Sequence, residues 1–385
     1  MLAIGQQDAV NILRFFDDLP DPRSEVNRLH RLGDVIVIAI CAIIATADGP
    51  TAIAKWAKLN EGWLRRHLAL PHGVPGKDTF RRVLGLLPPV VFQQCFQQWL
   101  LTLQASPDGE SECQKHIAID GKSLRRSHDR KHGLGPMHIV SAWASDYGIS
   151  LGQVATDEKS NEITAIPQLL DLIDVEDAIV TIDAAGCQKT IAAKIVEGKG
   201  DYVLALKGNQ EKLFDDVQFM MLRHLKDESV GSSVSRHVEV EQGHGRLEAR
   251  TYYQITAPSY LHGRSEWKGL KTIGAAVRVY EENGVEKRDT RYFISSLRRN
   301  AQQFANAVRS HWGIENSLHW SLDMTFREDE SRVRERTFAD NLSWLRRMTL
   351  SLIKQHPSKE SNIMKRRMAG WSVDFLMQLL TGKRA

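Results

Sequence analysis

Cysteine is scarce in this chain. The four in 385 residues are Cys41, Cys95, Cys113 and Cys187, and no two form a C-x-x-C pair. That excludes a zinc knuckle and a dithiol redox motif, and it fits a reducing compartment. Long hydrophobic runs are also lacking. The longest stretch, Val35 to Ala47, has 13 residues, short of the roughly 20 that a membrane span needs. It reads as a buried core helix with Asp34 as its N-cap and Cys41 as a core thiol. The opening residues Met-Leu-Ala-Ile-Gly-Gln-Gln-Asp have no signal-peptide pattern. A soluble, cytoplasmic protein with no membrane partner is expected. No G-x-x-x-x-G-K-[ST] or G-x-S-x-G occurs, so neither a P-loop nor an esterase elbow is present. Gly133-x-Gly135 lacks the strand–helix context of a dinucleotide fold.

Charge of one sign is not in large excess either, since the formal net charge is only +4. Its distribution is uneven. From Arg298 to Ala385, 16 Lys/Arg stand against 9 Asp/Glu. A basic C-terminal quarter suits a phosphate backbone, and a solvated helical surface equally.

Residues 1–110 read as a helical N-terminal domain. The core run breaks at Asp48-Gly49-Pro50, a turn signal. Helices follow through Trp56 and Leu59, then through Trp63 and Leu68. Pro71 to Gly76 is a loop, and Asp78 is placed to cap a helix through Thr79, Arg81, Arg82 and Leu84. Short helices joined by tight turns, the last with paired arginines, suit either a helix-turn-helix DNA reader or a plain bundle.

From His116 the pattern changes. Strands are expected at His116–Ile119, Met137–Ala144, Ile149–Ala155, Ala178–Ile182 and Tyr202–Leu206. Helices are expected over Ile163–Ile173 and from about Gln188 to Val196. The order β-β-β-α-β-α-β implies an α/β sheet with helices on its faces. A helix over 207–229 precedes a β-rich block at about 230–298. That block holds strands Leu247–Gln254, Thr272–Tyr280 and Thr290–Ser295, with Asn283-Gly284 as a hairpin turn. Helix returns from about Ala301 to Leu322. Thr337–Gln355 reads as a helix basic on one side, and 346–385 as a basic helical tail.

The chemistry rests on two strand ends. Ile117-Ala118-Ile119-Asp120 and Val180-Thr181-Ile182-Asp183 each run apolar residues into an aspartate followed by a small residue, Gly121 or Ala184. A carboxylate there is well placed to hold a hard cation at a sheet edge. It is also what a strand-terminating turn looks like. A third acid, Glu315, lies in His311-Trp312-Gly313-Ile314-Glu315-Asn316-Ser317-Leu318-His319. In an α-helix His311, Glu315 and His319 share one face. The two histidines would then lie about 12 Å apart at ~1.5 Å per residue, too far to share a zinc ion. Glu315 is expected at the metals, and the histidines on DNA or on groups behind the ligands. Three carboxylates suit two Mg²⁺ or Mn²⁺ ions and in-line displacement at phosphorus. The segment Gly121 to His132 carries five Lys/Arg and one Asp. Lys122, Arg125 and Arg126 in it are candidate phosphate contacts, as is Lys207 after the last strand of the sheet.

These segments resemble a family. Ile117–Arg125, Lys159-Ser160-Asn161-Glu162-Ile163, Val180–Ala184, Leu204–Gln210, His311–Trp320 and Phe326-Arg327-Glu328-Asp329 are similar to the blocks of the H-repeat-associated transposases. These are DDE enzymes of bacterial insertion sequences, and the similarity runs through almost the whole chain. The resemblance implies an RNase H-like mixed sheet with a β-rich insertion, here a catalytic domain at 111–345. It implies metal-dependent DNA cleavage and strand transfer on double-stranded DNA with terminal inverted repeats, and a homodimer in the active complex. It carries Asp120, Asp183 and Glu315 as the catalytic, metal-holding trio. Related transposases carry Tyr and Arg before the glutamate and Lys after it, where this chain has Val308, His311 and Leu322. Arg309 or His311 is then the candidate DNA contact, and Asp323 is the rival third ligand. A nuclease that cuts without joining, or a decayed DNA-binding protein, would carry much the same sequence.

Overall fold

The computed structural model describes residues 13–104, 115–157, 161–226, 233–243, 246–282 and 285–382. The Asn283-Gly284 turn, Cys113 and the Lys159-Ser160 part of one block lie outside these residues, as does the amino terminus.

The N-terminal region is helical: α1 Leu32–Ile44, α2 Pro50–Leu59, the single turn α3 Glu61–Leu64, α4 Lys77–Leu86 and α5 Pro89–Gln104. Helix α1 is apolar on every side because it is buried on every side, from Val35 to Ile44. Its N-cap is Arg31, so the Asp34 cap is corrected. Asp34 lies in the first turn, nearly buried, and accepts a hydrogen bond from the Leu70 amide at 3.2 Å. Helix α4 is likewise capped at Gly76, with Asp78 in its first turn near the helix's positive end. Arg81 and Arg82 are exposed on it.

A nine-stranded sheet follows. Its strands are β1 Lys115–Ser123, β2 His138–Ala144, β3 Ile149–Thr156, β4 Ala178–Ile182, β5 Asp201–Leu206, β6 Ser235–Gly243, β7 Arg246–Thr256, β8 Thr272–Glu282 and β9 Val285–Ser295. The spatial order is β3-β2-β1-β4-β5-β9-β8-β7-β6. β1 pairs antiparallel with β2 and parallel with β4, and β4 pairs parallel with β5. Helices α6 Glu162–Leu172 and α7 Lys189–Glu197 make the crossovers. This is the RNase H-like mixed sheet. α8 Glu211–Lys226 leads into the β-rich block. That block does not stand apart, because β9 pairs antiparallel with β5 and the four added strands continue the same sheet. β6 was not expected from the sequence. It is the edge strand, and its Val238 and Val240 are 44% and 61% exposed, so no buried face imposed an apolar alternation.

The last helices are α9 Ala301–Gly313, a π-helical turn Ile314–His319, α10 Trp320–Phe326, α11 Arg336–Gln355, α12 Asn362–Trp371 and α13 Val373–Thr381. α11 corrects the expectation of a helix with a solvated basic side. Every residue from Phe338 to Ile353 is buried, Arg346 and Arg347 included. α11 spans position 345/346, and its Phe338, Leu342 and Trp344 share one core with α1, α2, α4 and α5. Among the described residues no helix is long and apolar enough to cross a membrane.

Candidate active site

β4 ends at Ile182, while β1 beside it runs on to Ser123. Ile182 pairs with Ile119, so Asp120 and Asp183 are the next residues on neighbouring parallel strands. Parallel pairing at the strand ends thus brings together two acids 63 positions apart in sequence. The Asp183 Oδ1 accepts hydrogen bonds from the amides of Ala185 (3.0 Å) and Gly186 (3.3 Å), which fix its carboxylate over the following turn.

Glu315 comes from the helix laid across these strands. The π-helical turn interrupts the α-helix at this point, so the three-residue alignment expected for a regular helix does not hold in detail. Such widened turns recur at functional sites. His311, before the turn, places Nδ1 3.1 Å from the Thr181 hydroxyl on β4. His319, at its end, places Nδ1 3.5 Å from Asp120 Oδ2 on β1. His311 thus reaches β4 behind Asp183, His319 reaches the Asp120 carboxylate itself, and exposed Glu315 lies between the two histidines in sequence.

The electrostatics are lopsided. Burial pushes the Asp120 carboxyl up to about 7, and the charges of Asp183, Glu315 and Glu162 push the same way. Three other acids thus act on Asp120. Burial also pushes His311 down to about 4 and His319 to about 3, with Arg347 and Lys122 adding to the effect on His319. Neither ring supplies a positive charge at neutral pH. Among the described residues no three Asp, Glu, His or Cys side chains stand as a ready-made metal cage. The donor chemistry of the trio fits a hard divalent cation all the same: carboxylate oxygens that repel one another, one of them raised by burial and then by its acidic neighbours. Asp120, Asp183 and Glu315 are the residues that would hold it.

The basic candidates divide. Lys122 is only 9% exposed and is held between Asp323 (2.8 Å) and Asp329 (2.9 Å). This engages Asp323, the rival third ligand, in an ion pair. Arg309 is tied to Glu239 at 3.7 Å and to Glu241, both on β6. Arg125 touches Asp329 at 3.0 Å but its side chain is 80% exposed. Arg126 and Lys207 are exposed. Val308 and Leu322 are buried in the core. Glu162 had been read only as part of a block, and His138 as a strand residue. A single acid or histidine at the start of an element carries no periodic signal, so neither was found from the sequence.

The chain is similar to known proteins along most of its length. A family model described as DDE_Tnp_1-associated matches residues 13–100, and one described as Transposase DDE domain matches residues 111–352. The chain is 37% identical over 361 residues to "Putative transposase YncI" of Escherichia coli O157:H7, covering 93% of this chain and 90% of that one. It is 35% identical over 373 residues to "H repeat-associated putative transposase YhhI" of Escherichia coli K12, covering 94% and 96%. Among solved structures, a piggyBac transposase synaptic complex with hairpin DNA aligns with 97% of this chain and 82% of that one, at 12% identity and a TM-score of 0.40. The chain belongs to the DDE transposase family, among the relatives of the H-repeat-associated transposases.

Proposed function

We propose that this transposase cleaves DNA at the ends of an insertion sequence and joins those ends to a target, with Asp120, Asp183 and Glu315 as the catalytic trio. The observation that carries the reading is the pairing of Ile119 with Ile182, which sets Asp120 and Asp183 side by side at the ends of neighbouring parallel strands, with Glu315 on the helix laid across them. Two Mg²⁺ or Mn²⁺ ions bound there supply activation of water or a 3′-hydroxyl and stabilisation of the leaving oxygen. Asp183 offers its carboxylate from a pre-set turn, so its orientation costs little on binding. His311 on Thr181 and His319 beside Asp120 are kept neutral by burial and do not compete as cations. Exposed Arg125, Arg126 and Lys207 are the side chains we assign to phosphates flanking the cut. Lys122 and Arg309 act instead by holding Asp323, Asp329 and β6 in place. The N-terminal helices, with Arg81 and Arg82, are the proposed reader of the terminal inverted repeats. Two ends must be held at once, which calls for a homodimer, working in the cytoplasm.

The test is cleavage of double-stranded DNA carrying candidate element ends, with Mg²⁺, Mn²⁺ or EDTA, by wild type and Asp183→Ala. Cutting should need both the metal and Asp183. Strand transfer with precut ends then separates a transposase from a nuclease. Tight binding without cutting under any metal would overturn the catalytic reading.

A further inference from the structure

A buried acid–histidine pair lies across β1 from Asp120. Successive residues of a strand face opposite sides. Asp120 is paired with Ser141, whose hydroxyl accepts from Arg347 Nε of α11 at 3.0 Å, so Asp120 is on the α11 side. Gly121 and Ser123 face the other side, where α6 packs. There Glu162, the first residue of α6, is 6% exposed and His138 is 1% exposed. The two are 2.5 Å apart, Oε1 to Nε2. The other ring nitrogen of His138, Nδ1, lies 3.0 Å from the Ser123 hydroxyl. The chain Ser123–His138–Glu162 therefore closes over Gly121.

The contact at Gly121 is tight. A Cβ there would come 2.2 Å from His138 Nε2 and 2.4 Å from Glu162 Oε1, with no room for it. The pair thus fills the space that a side chain on the residue next to Asp120 would take. Glu162 is also among the acids whose charge reaches Asp120. A buried glutamate near another buried acid is costly unless something offsets it. His138 gives that carboxylate a hydrogen-bonding partner inside the core.

We infer that Glu162, held by His138, is a positioning residue of this active site: it sets the Asp120 carboxylate through Gly121 and strengthens the site's hold on divalent cations. The inference rests on the trio reading above. Glu162 need not touch the ion, because it lies on the far face of β1. It acts by fixing the strand where the ligand is borne and by adding to the negative field that a cation relieves.

The test is Mn²⁺ binding to the purified full chain, followed by electron paramagnetic resonance, with melting temperature recorded in parallel. The proteins are wild type, Asp120→Asn, Glu162→Gln and Gly121→Ala. Wild type should bind Mn²⁺ and Asp120→Asn should lose most of it. Glu162→Gln should weaken binding about tenfold and alter the bound-ion spectrum, with melting little changed, since glutamine still accepts from His138. Gly121→Ala retains every charge but displaces the pair, and should weaken binding as well. If Glu162→Gln does not fold, Gly121→Ala decides by the same criterion. Wild-type affinity and spectrum in the folded variants, with Asp120→Asn defective, would overturn this inference and leave the trio standing. No Mn²⁺ binding by wild type, or none lost in Asp120→Asn, would overturn the trio reading and this inference with it.

Discussion

Two clusters of charged side chains, one around Glu328 and one around Asp120, are built on opposite plans. In the first, Glu328 is wholly buried, but it lies 3.1 Å from Arg347 and 3.9 Å from Arg346, and Ser343 donates to it at 2.8 Å. Burial works to raise its carboxyl, yet the two arginines and Lys122 hold it below the usual carboxylate range. In the second, Asp120 is surrounded by Asp183, Glu315 and Glu162. The nearest lysine, Lys122, is taken by Asp323 and Asp329, and the neighbouring His319 is kept neutral. Two arginines act on the buried Glu328, whereas the charges that act most on Asp120 are those of other acids. The first cluster closes its own electrostatics and serves the fold. The second is the cluster we propose as the divalent-cation site.

The largest expected effect falls on the Asp120 cluster. Asp120→Asn should reduce metal-dependent cleavage by on the order of a thousandfold or more while DNA binding stays within a few fold, because it removes a metal ligand and no phosphate contact. Cleavage and filter-binding assays on one preparation check both halves. Retained cleavage would erase the distinction between the clusters. Next comes the closed cluster. Arg347→Met leaves Glu328 short of its main partner and should destabilise by about 3–5 kcal/mol in urea unfolding. A loss under 1 kcal/mol would mean that Glu328 is not balanced as described.

Asp340, on the same helix, gives a smaller effect with a defined sign. Burial raises its carboxyl to about 6, against a hydrogen bond from Gln153 and the charge of Arg347. The folded state thus holds this proton more tightly than the unfolded state does. Its contribution to stability is present at low pH and is lost as pH rises from about 4 to about 6. Asp340→Asn should therefore gain on wild type by up to about 3 kcal/mol between pH 4 and pH 7, measured by denaturation at each pH. An unchanging difference would count against it. The smallest effect is a control. Asn300 caps α9 by accepting from the amides of Gln302 (3.1 Å) and Gln303 (3.2 Å). Asn300→Ala should cost about 1 kcal/mol of stability without changing the Mg²⁺ concentration for half-maximal cleavage. A shifted metal requirement would show that the helix bearing Glu315 tunes the site, and that stability and metal binding are not separable here.

Much of the architecture was legible in the sequence for local reasons. β4 spans the residues expected for it, because a strand buried on both faces is a short apolar run between turns. β2 and β3 agree within a residue at their ends, since Ser145-Asp146-Tyr147-Gly148 marks the turn between them. The edge strand β6 was not legible, because it buries little. Asp34 and Asp78 were each expected as a cap and lie instead in the first helical turn. An aspartate has the same local chemistry at either place, and only the backbone angles tell them apart.

By itself the sequence determined that two buried strands run into Asp120 and Asp183, since an apolar run ending on an acid is a local pattern written in adjacent residues. Which charged groups meet was decided by tertiary structure alone. Lys122 meets Asp329 across 207 positions and Arg347 meets Ser141 across 206. Glu162 reaches Asp120 only because α6 packs where Gly121 has no side chain. Coulomb energy depends on distance and burial, and neither is a property of neighbouring letters.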